Sequence, residues 1–245
     1  MKRIITLLLL IPVFYIANAQ EDDQKDQIRT TPSPDFPGSL VFEYGLNYLT
    51  NNDHVMRTNP WQSATYNIYY FYPIKLGESR FAFNPGLGVG TEKFGFEEDI
   101  SFQDVNKITE LKTIPELPRF DTLTFSTVKE TQLIANYIDM PLEFRIHSRK
   151  SDHKRSFYLS LGGKIGVNFD GKTKIRYSEL GSHKVYKDNY HFNINSFRYG
   201  AVARVGVGPF NAWIHYSGSK LFRGNKYSGF QNPNVWSWGI SLATF

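Results

Sequence analysis

Residues 136–147 read NYIDMPLEFRIH. In an extended chain successive side chains point to opposite faces, so Ile138, Met140, Leu142, Phe144 and Ile146 share one side. Tyr137, Asp139, Pro141, Glu143 and Arg145 share the other. One face is wholly apolar and the other carries charges of both signs. A wall between hydrocarbon and a wet interior has this pattern, which predicts one strand of a transmembrane β-barrel.

The same alternation recurs on both sides of this stretch. Leu40, Phe42, Tyr44, Leu46 and Tyr48 alternate with Val41, Glu43, Gly45 and Asn47, and Tyr66, Ile68, Tyr70 and Tyr72 alternate with Thr65, Asn67, Tyr69 and Phe71. A third strand is expected over about 80–93, where Leu87 and Val89 oppose Gly86, Gly88 and Gly90. The fourth contains the quoted stretch and is expected to begin near Thr131. Later strands are expected at 157–168, 198–207, 210–217 and about 235–245. The connections at 50–60, 94–130, 170–192 and 218–233 are long, whereas those at 74–79, 147–155 and Gly208-Pro209 are short. Outer-membrane barrels place short turns on the periplasmic side and long loops outside, with an even strand number. The expectation is therefore an all-β fold, an eight-stranded antiparallel transmembrane β-barrel over residues 38–245.

Alternation is unchanged when a barrel is turned inside out, so a soluble barrel is the rival reading. The loop alternation favours the membrane, as do aromatic residues at strand ends. Tyr44, Tyr48, Trp61, Tyr70, Tyr72, Tyr199, Tyr216, Trp236 and Trp238 are expected near the lipid boundary, although strand propensity accounts for part of them. Phe245 ends the chain with the kind of residue that the barrel-assembly machinery reads, but Ala243, Ser241 and Gly239 share its parity.

The N-terminus gives an address. Lys2 and Arg3 precede an apolar run from Ile4 to Ile16, and Ala17-Asn18-Ala19 follows. A basic start, a short apolar core and a small-x-small site predict a signal peptide over 1–19. Gln20, where a lipoprotein would carry cysteine, argues against a lipid anchor. Residues 20–37, polar and then proline-rich, are expected to be a flexible periplasmic leader. The chain has no cysteine, which removes thiol nucleophiles, disulfides and thiolate metal sites. The net charge of +5, which includes the signal-peptide cations, is too small to point to nucleic acid. Mean hydropathy is −0.38, a value that alternating strands reach without being soluble.

The less apolar face collects Glu43, Asp139, Glu143, Arg145, Lys164, Arg198 and Arg204. An eight-stranded barrel is filled by side chains, so charges there must pair. Asp139, Glu143 and Arg145 are expected to reach Lys164, Arg198 and Arg204 as a lumenal network.

NYIDMPLEFR with the basic turn after it, FYLSLGGKIG, SFRYGAVARVGVGPF and the ANAQ ending of the signal peptide resemble the PorT family of outer-membrane β-barrel proteins of Bacteroidetes-type bacteria. The resemblance spans roughly residues 38–245 and implies an OmpA-like eight-stranded barrel in the outer membrane of a Gram-negative cell. The founding member belongs to a protein-secretion and gliding apparatus, and no residue here transfers that role.

Enzymatic chemistry has one candidate. His215 and Ser217 lie two residues apart on one strand face and resemble the His-x-Ser of PagL-type lipid A deacylases. Acyl transfer also needs an acid that orients the histidine. No Asp or Glu follows Asp188, and Gly218 stands where that motif has asparagine. The expectation is a non-enzymatic protein with a structural or interaction role. His147, His153, His183 and His191 lack ligand spacing, so no metal or other cofactor is expected. Lys150, His153, Lys154 and Arg155 form a basic turn that could touch acidic headgroups. The expected partners are outer-membrane lipid and lipopolysaccharide, the barrel-assembly machinery and an envelope protein, around a monomeric barrel. Residues 94–130, mixed in charge with short apolar clusters, suggest strands projecting beyond the membrane and the outer binding surface.

Overall fold

The computed structural model describes residues 38–114, 126–149, 156–179, 181–189, 192–224 and 226–244. The expected signal peptide and leader up to residue 37, the expected basic turn at Lys150, His153, Lys154 and Arg155, His191 and Phe245 lie outside the described residues.

The strands in chain order are β1 (Ser39–Thr50), β2 (Ala64–Phe71), β3 (Ile74–Lys75), β4 (Phe81–Phe96), β5 (Ile100–Val105), β6 (Ile108–Thr113) and β7 (Ser126–His147). They continue with β8 (Phe157–Glu179), β9 (Ser182–Asp188), β10 (Phe197–Val207), β11 (Phe210–Ser217), β12 (Tyr227–Ser228) and β13 (Asn234–Ala243). Helix among the described residues is limited to a short 3-10 turn at His54–Met56 and to Ile114, and none is long and apolar enough to cross a membrane.

Eight strands close on themselves in the order β1, β2, β4, β7, β8, β10, β11, β13 and back to β1, every pair antiparallel. Closure leaves no unpaired edge, which would carry free N–H and C=O groups into a medium unable to bond them. The seam runs from Val41↔Ala243 to Thr50↔Asn234. Gly208 has φ +57, and Gly208–Pro209 alone joins β10 to β11. Proline cannot take positive φ, so a positive first residue followed by proline fits the II′ hairpin turn, whose twist matches the strands.

Strand existence and order follow the alternation, but several lengths differ from expectation. β4 reaches Phe96, β7 begins at Ser126 and β8 runs to Glu179, well past residue 168. The expected long loop at 170–192 is largely a hairpin of β8 with β9. The region 94–130 carries strand extensions and the β5–β6 hairpin, which β12 joins in parallel. Two register shifts occur in the β7–β8 ladder, at Val128/Glu130 and Asn136/Tyr137. At the second, Asn136 faces Asp170 and Tyr137 faces Asn168, so Phe169 is an extra residue. An extra residue exchanges inward and outward parity for everything beyond it.

Below that bulge the outer wall is apolar. Phe42, Ile68, Leu87, Val89, Ile138, Met140, Phe144, Leu161, Ile165 and Ile240 are all exposed, while their sequence neighbours face the lumen. Aromatic contacts stud this wall, with Tyr44–Tyr66 at 5.3 Å, Tyr216–Trp236 at 4.7 Å and Phe83–Phe144 at 4.9 Å between ring centroids. Trp61 stands in the β1–β2 loop, 89% exposed.

The interior has two layers. At the turn end and middle it is polar, apart from a small apolar cluster of Val41, Tyr69 and Phe71. At the loop end it is an apolar core containing Leu49, Met56, Phe94, Phe96, Leu133 and Val235 from the barrel and its first loop. Phe102, Phe192, Leu221, Phe222 and Phe230 reach this core from the later loops. Phe102 lies 5.2 Å from Phe222, and Phe222 lies 5.0 Å from Phe230. Asn232 braces the cap by accepting from the Phe222 N–H at 2.9 Å and donating to its carbonyl at 2.8 Å.

Candidate functional site

The lumenal charges form two clusters around two arginines from one face of β10. Arg198 donates from Nε to Asp139 at 2.9 Å and from Nη2 to its other oxygen at 2.5 Å. Its Nη1 lies 2.5 Å from the Glu92 carboxylate, an ion pair without hydrogen-bond alignment. The Tyr69 hydroxyl donates to Asp139 at 2.8 Å, and the guanidinium covers the Tyr137 ring at 3.7 Å. Gly90 and Gly166 frame the pair, because a Cβ at either position would collide with the Asp139 carboxylate.

Arg204 holds the second cluster, nearer the turn end. Its Nη2 lies 2.6 Å from Glu43 and 3.0 Å from Glu143, and Nη1 donates to Ser241 at 2.9 Å. Ser160 donates to Glu143 at 2.7 Å and Asn67 to Glu43 at 2.8 Å. Bidentate and charge-assisted contacts of this kind are the strong class of hydrogen bond, and they satisfy the carboxylates away from water. Arg145 sits at the mouth, 3.8 Å from Glu143 and 4.0 Å above the Tyr158 ring, whose hydroxyl donates to Asn211.

Of the seven residues singled out from the sequence, the structure brings Asp139 to Arg198, and joins Glu43, Glu143 and Arg145 around Arg204. Lys164 is buried in the same lumen but, among the described residues, forms no ion pair within 4.0 Å. Glu92 is the member that sequence reasoning missed. Its parity matches that of Gly86, Gly88 and Gly90, which was the available signal. With it, Glu43, Glu92, Asp139 and Glu143 face Arg145, Lys164, Arg198 and Arg204, so the lumen is balanced in formal charge.

His215 and Ser217 both face the lumen and are buried. Neither ring nitrogen of His215 has a hydrogen-bond partner. The Ser217 hydroxyl lies 3.0 Å from both the Ser219 carbonyl and the Ser219 hydroxyl. The two residues therefore share a face without forming a serine–histidine hydrogen bond. Among the described residues no cluster of three or more His, Cys, Asp or Glu could hold a metal ion. The lumenal cavity beside Arg145, Tyr158 and Arg204 measures about 30 Å³, room for about one water.

A family model described as outer membrane protein beta-barrel domain matches residues 30–222. No curated protein matches the sequence. Among solved structures, the attachment invasion locus protein Ail of Yersinia pestis is similar at 12% identity with a TM-score of 0.35, covering 84% of this chain and 97% of that one. The same protein in complex with the heparin analogue sucrose octasulfate gives 13% identity and a TM-score of 0.36 at the same coverage.

Proposed function

We propose, because this chain belongs to the outer membrane protein beta-barrel domain family, that it is a non-enzymatic barrel of a Gram-negative outer membrane whose work is done by its outer surfaces. The signal peptide is removed after Ala19, the leader lies in the periplasm, and the loop end faces outside. The barrel is a monomer placed by the barrel-assembly machinery, and its narrower kinship is with the PorT-like proteins that its motifs resemble.

One observation carries this reading: the lumen is occupied along its length. Its carboxylates are paired with Arg198 and Arg204, and aromatic residues fill the loop end. A filled cylinder offers substrates neither a channel nor an internal cleft. What it presents is a lipid-facing wall and an outer cap built from β5, β6, β9 and β12, suited to anchoring or to binding an envelope partner.

Cysteine scanning in intact outer membranes tests the placement. Cysteines at 138, 140 and 144 should react with lipid-restricted probes, and those at 139, 143 and 145 should not. The reverse pattern would establish the soluble, inverted barrel. The non-enzymatic half is tested by mass spectrometry of lipid A from cells with and without the gene. A lost acyl chain that requires the wild-type protein and is abolished by Ser217→Ala would replace this reading with acyl hydrolysis.

A further inference from the structure

The outer wall of β4, β7 and β8 changes character over three rows of side chains. The last apolar row is Val89–Ile138–Val167. Next comes Thr91–Asn136–Asp170, a ladder in which Thr91 donates to Asn136 at 2.8 Å and Asn136 donates to Asp170 at 2.7 Å. Above it lie Lys93–Ile134–Lys172, then Gln132 with Lys174 and Lys187, then Glu130 with Arg176. The Phe169 bulge creates this arrangement. Without the extra residue, Lys172, Lys174 and Arg176 would point into the barrel and Ile175 and Tyr177 out of it.

The cations on this face are only partly neutralised by neighbours. Arg176 pairs with Glu130 at 2.7 Å and Lys172 with Asp170 at 3.4 Å. Lys93, Lys174 and Lys187 form no ion pair with a carboxylate among the described residues, and Lys93 instead lies 4.7 Å above the Tyr66 ring. Partial burial, then Arg176, with Lys187 and Lys93 behind it, draw the Lys174 ammonium below its ordinary pKa against the opposing pull of Glu130. Like charges converge here, which favours a shared anion over isolated solvated lysines.

Height selects the anion. Rows two residues apart are separated by about 7 Å along a strand, and strands tilt by roughly 35–45°. The two lysine rows thus stand roughly 10 and 16 Å beyond the last apolar row and Arg176 roughly 21 Å, just above the headgroup zone, with flexible stems that can reach down.

We infer that the outward face of β4, β7, β8 and β9, at Lys93, Lys172, Lys174, Arg176 and Lys187, is a binding site for the phosphate of an outer-leaflet lipid headgroup, resting on the membrane reading above and adding to it a specific lipid contact. The apolar wall below holds the acyl chains while the lysines and Arg176 hold the phosphate.

The test uses the full mature chain folded into phosphatidylcholine vesicles with or without bisphosphorylated lipid A, followed by native mass spectrometry of the lipids retained. Wild type should retain lipid A in preference to phosphatidylcholine and should not retain dephosphorylated lipid A. Combining Lys172→Gln, Lys174→Gln and Lys187→Gln should weaken retention by about tenfold or more, whereas Lys75→Gln with Lys112→Gln should not. Lys187→Gln alone, on an exposed strand, gives a smaller loss in the same direction if the triple variant fails to show heat-modifiable migration. Equal retention by the variants, or of dephosphorylated lipid A, overturns the site. Displacement by millimolar inorganic phosphate reassigns it to free phosphate, and tighter binding of a sulfated oligosaccharide reassigns it to a soluble polyanion. Normal insertion without lipid A preference sinks the site alone, while failure to insert into either vesicle sinks the membrane reading.

Discussion

The lower and upper halves of this cylinder solve the interior in opposite ways. Around Arg198 and Arg204 the inside is ionic and the outside apolar. Above the Phe169 bulge the inside is apolar, with Ile114, Ile175 and Tyr177 clustered together, and Lys172, Lys174 and Arg176 lie outside. The difference follows from the medium against the outer wall. Where that wall meets hydrocarbon, burying apolar groups inside gains little, and polar groups inside must satisfy one another. Where it meets water, the ordinary hydrophobic drive returns and the apolar face turns inward. A single pair of strands, β7 and β8, obeys both rules, and one extra residue marks the change between them.

This contrast can be broken at the ionic layer first. Arg204→Ala leaves Glu43 and Glu143 buried with their main cation gone and should cost about 3–5 kcal/mol, read as a lowered urea midpoint of the heat-modifiable species in detergent. Replacing Arg204, Glu43 and Glu143 together by apolar residues of similar volume should recover most of that loss. If the triple replacement is as unstable as the single one, mutual neutralisation is not what holds the layer.

In the upper layer the same kind of experiment has a different grammar. Leu133→Ala opens a cavity in the cap and should cost about 2–5 kcal/mol, while Leu133→Met, which keeps the volume, should cost under about 1.5 kcal/mol. The same urea titration reads both. Shape governs there, whereas pairing governs below.

Smaller perturbations sharpen the boundary. Tyr69→Phe removes one hydroxyl that donates to Asp139 and should cost about 1.5–3 kcal/mol, the range of a hydrogen bond to a charged group. Arg57→Ala breaks an exposed pair with Glu97 at 3.8 Å and should change the midpoint by about 0–1 kcal/mol. An Arg57 effect as large as that of Arg204 would mean that burial is not what gives the lumenal pairs their weight.

The wall was legible because NYIDMPLEFRIH carries its alternation in consecutive residues, and strand order followed from the loop lengths. The lumenal faces of β1, β7, β8 and β10 were legible for the same reason. Glu92 escaped because it lies beside the expected end of its strand, where the three small residues Gly86, Gly88 and Gly90 give the face no polar signature. The bulges at Lys129 and Phe169 were not legible, since alternation on either side of an extra residue looks like one strand with a slip or two strands with a loop. The cap was illegible for another reason. Phe94 and Phe102 on one side and Phe222 and Phe230 on the other come from two segments far apart in sequence, and each falls in a stretch that reads from the sequence as a connection without periodicity. Nor does parity say which carboxylate an arginine takes. Arg198 chose Glu92 and Asp139 through the stagger of β4, β7 and β8, and that stagger is a property of the closed sheet.

The two-residue turn at Gly208–Pro209 also orders events in time. The entropy of bringing two segments together rises with the chain between them, and contacts distant in sequence form slowly. β10 and β11 need to close only two residues before Val207 meets Phe210, so this hairpin can zip as a local event on the microsecond scale of hairpins. The seam between β1 and β13 joins residues from opposite ends of the barrel, beginning with Val41 and Ala243. By the same rule it is the costliest contact to close, and until it forms the sheet is open, with two sticky edges that must be kept from pairing with anything else.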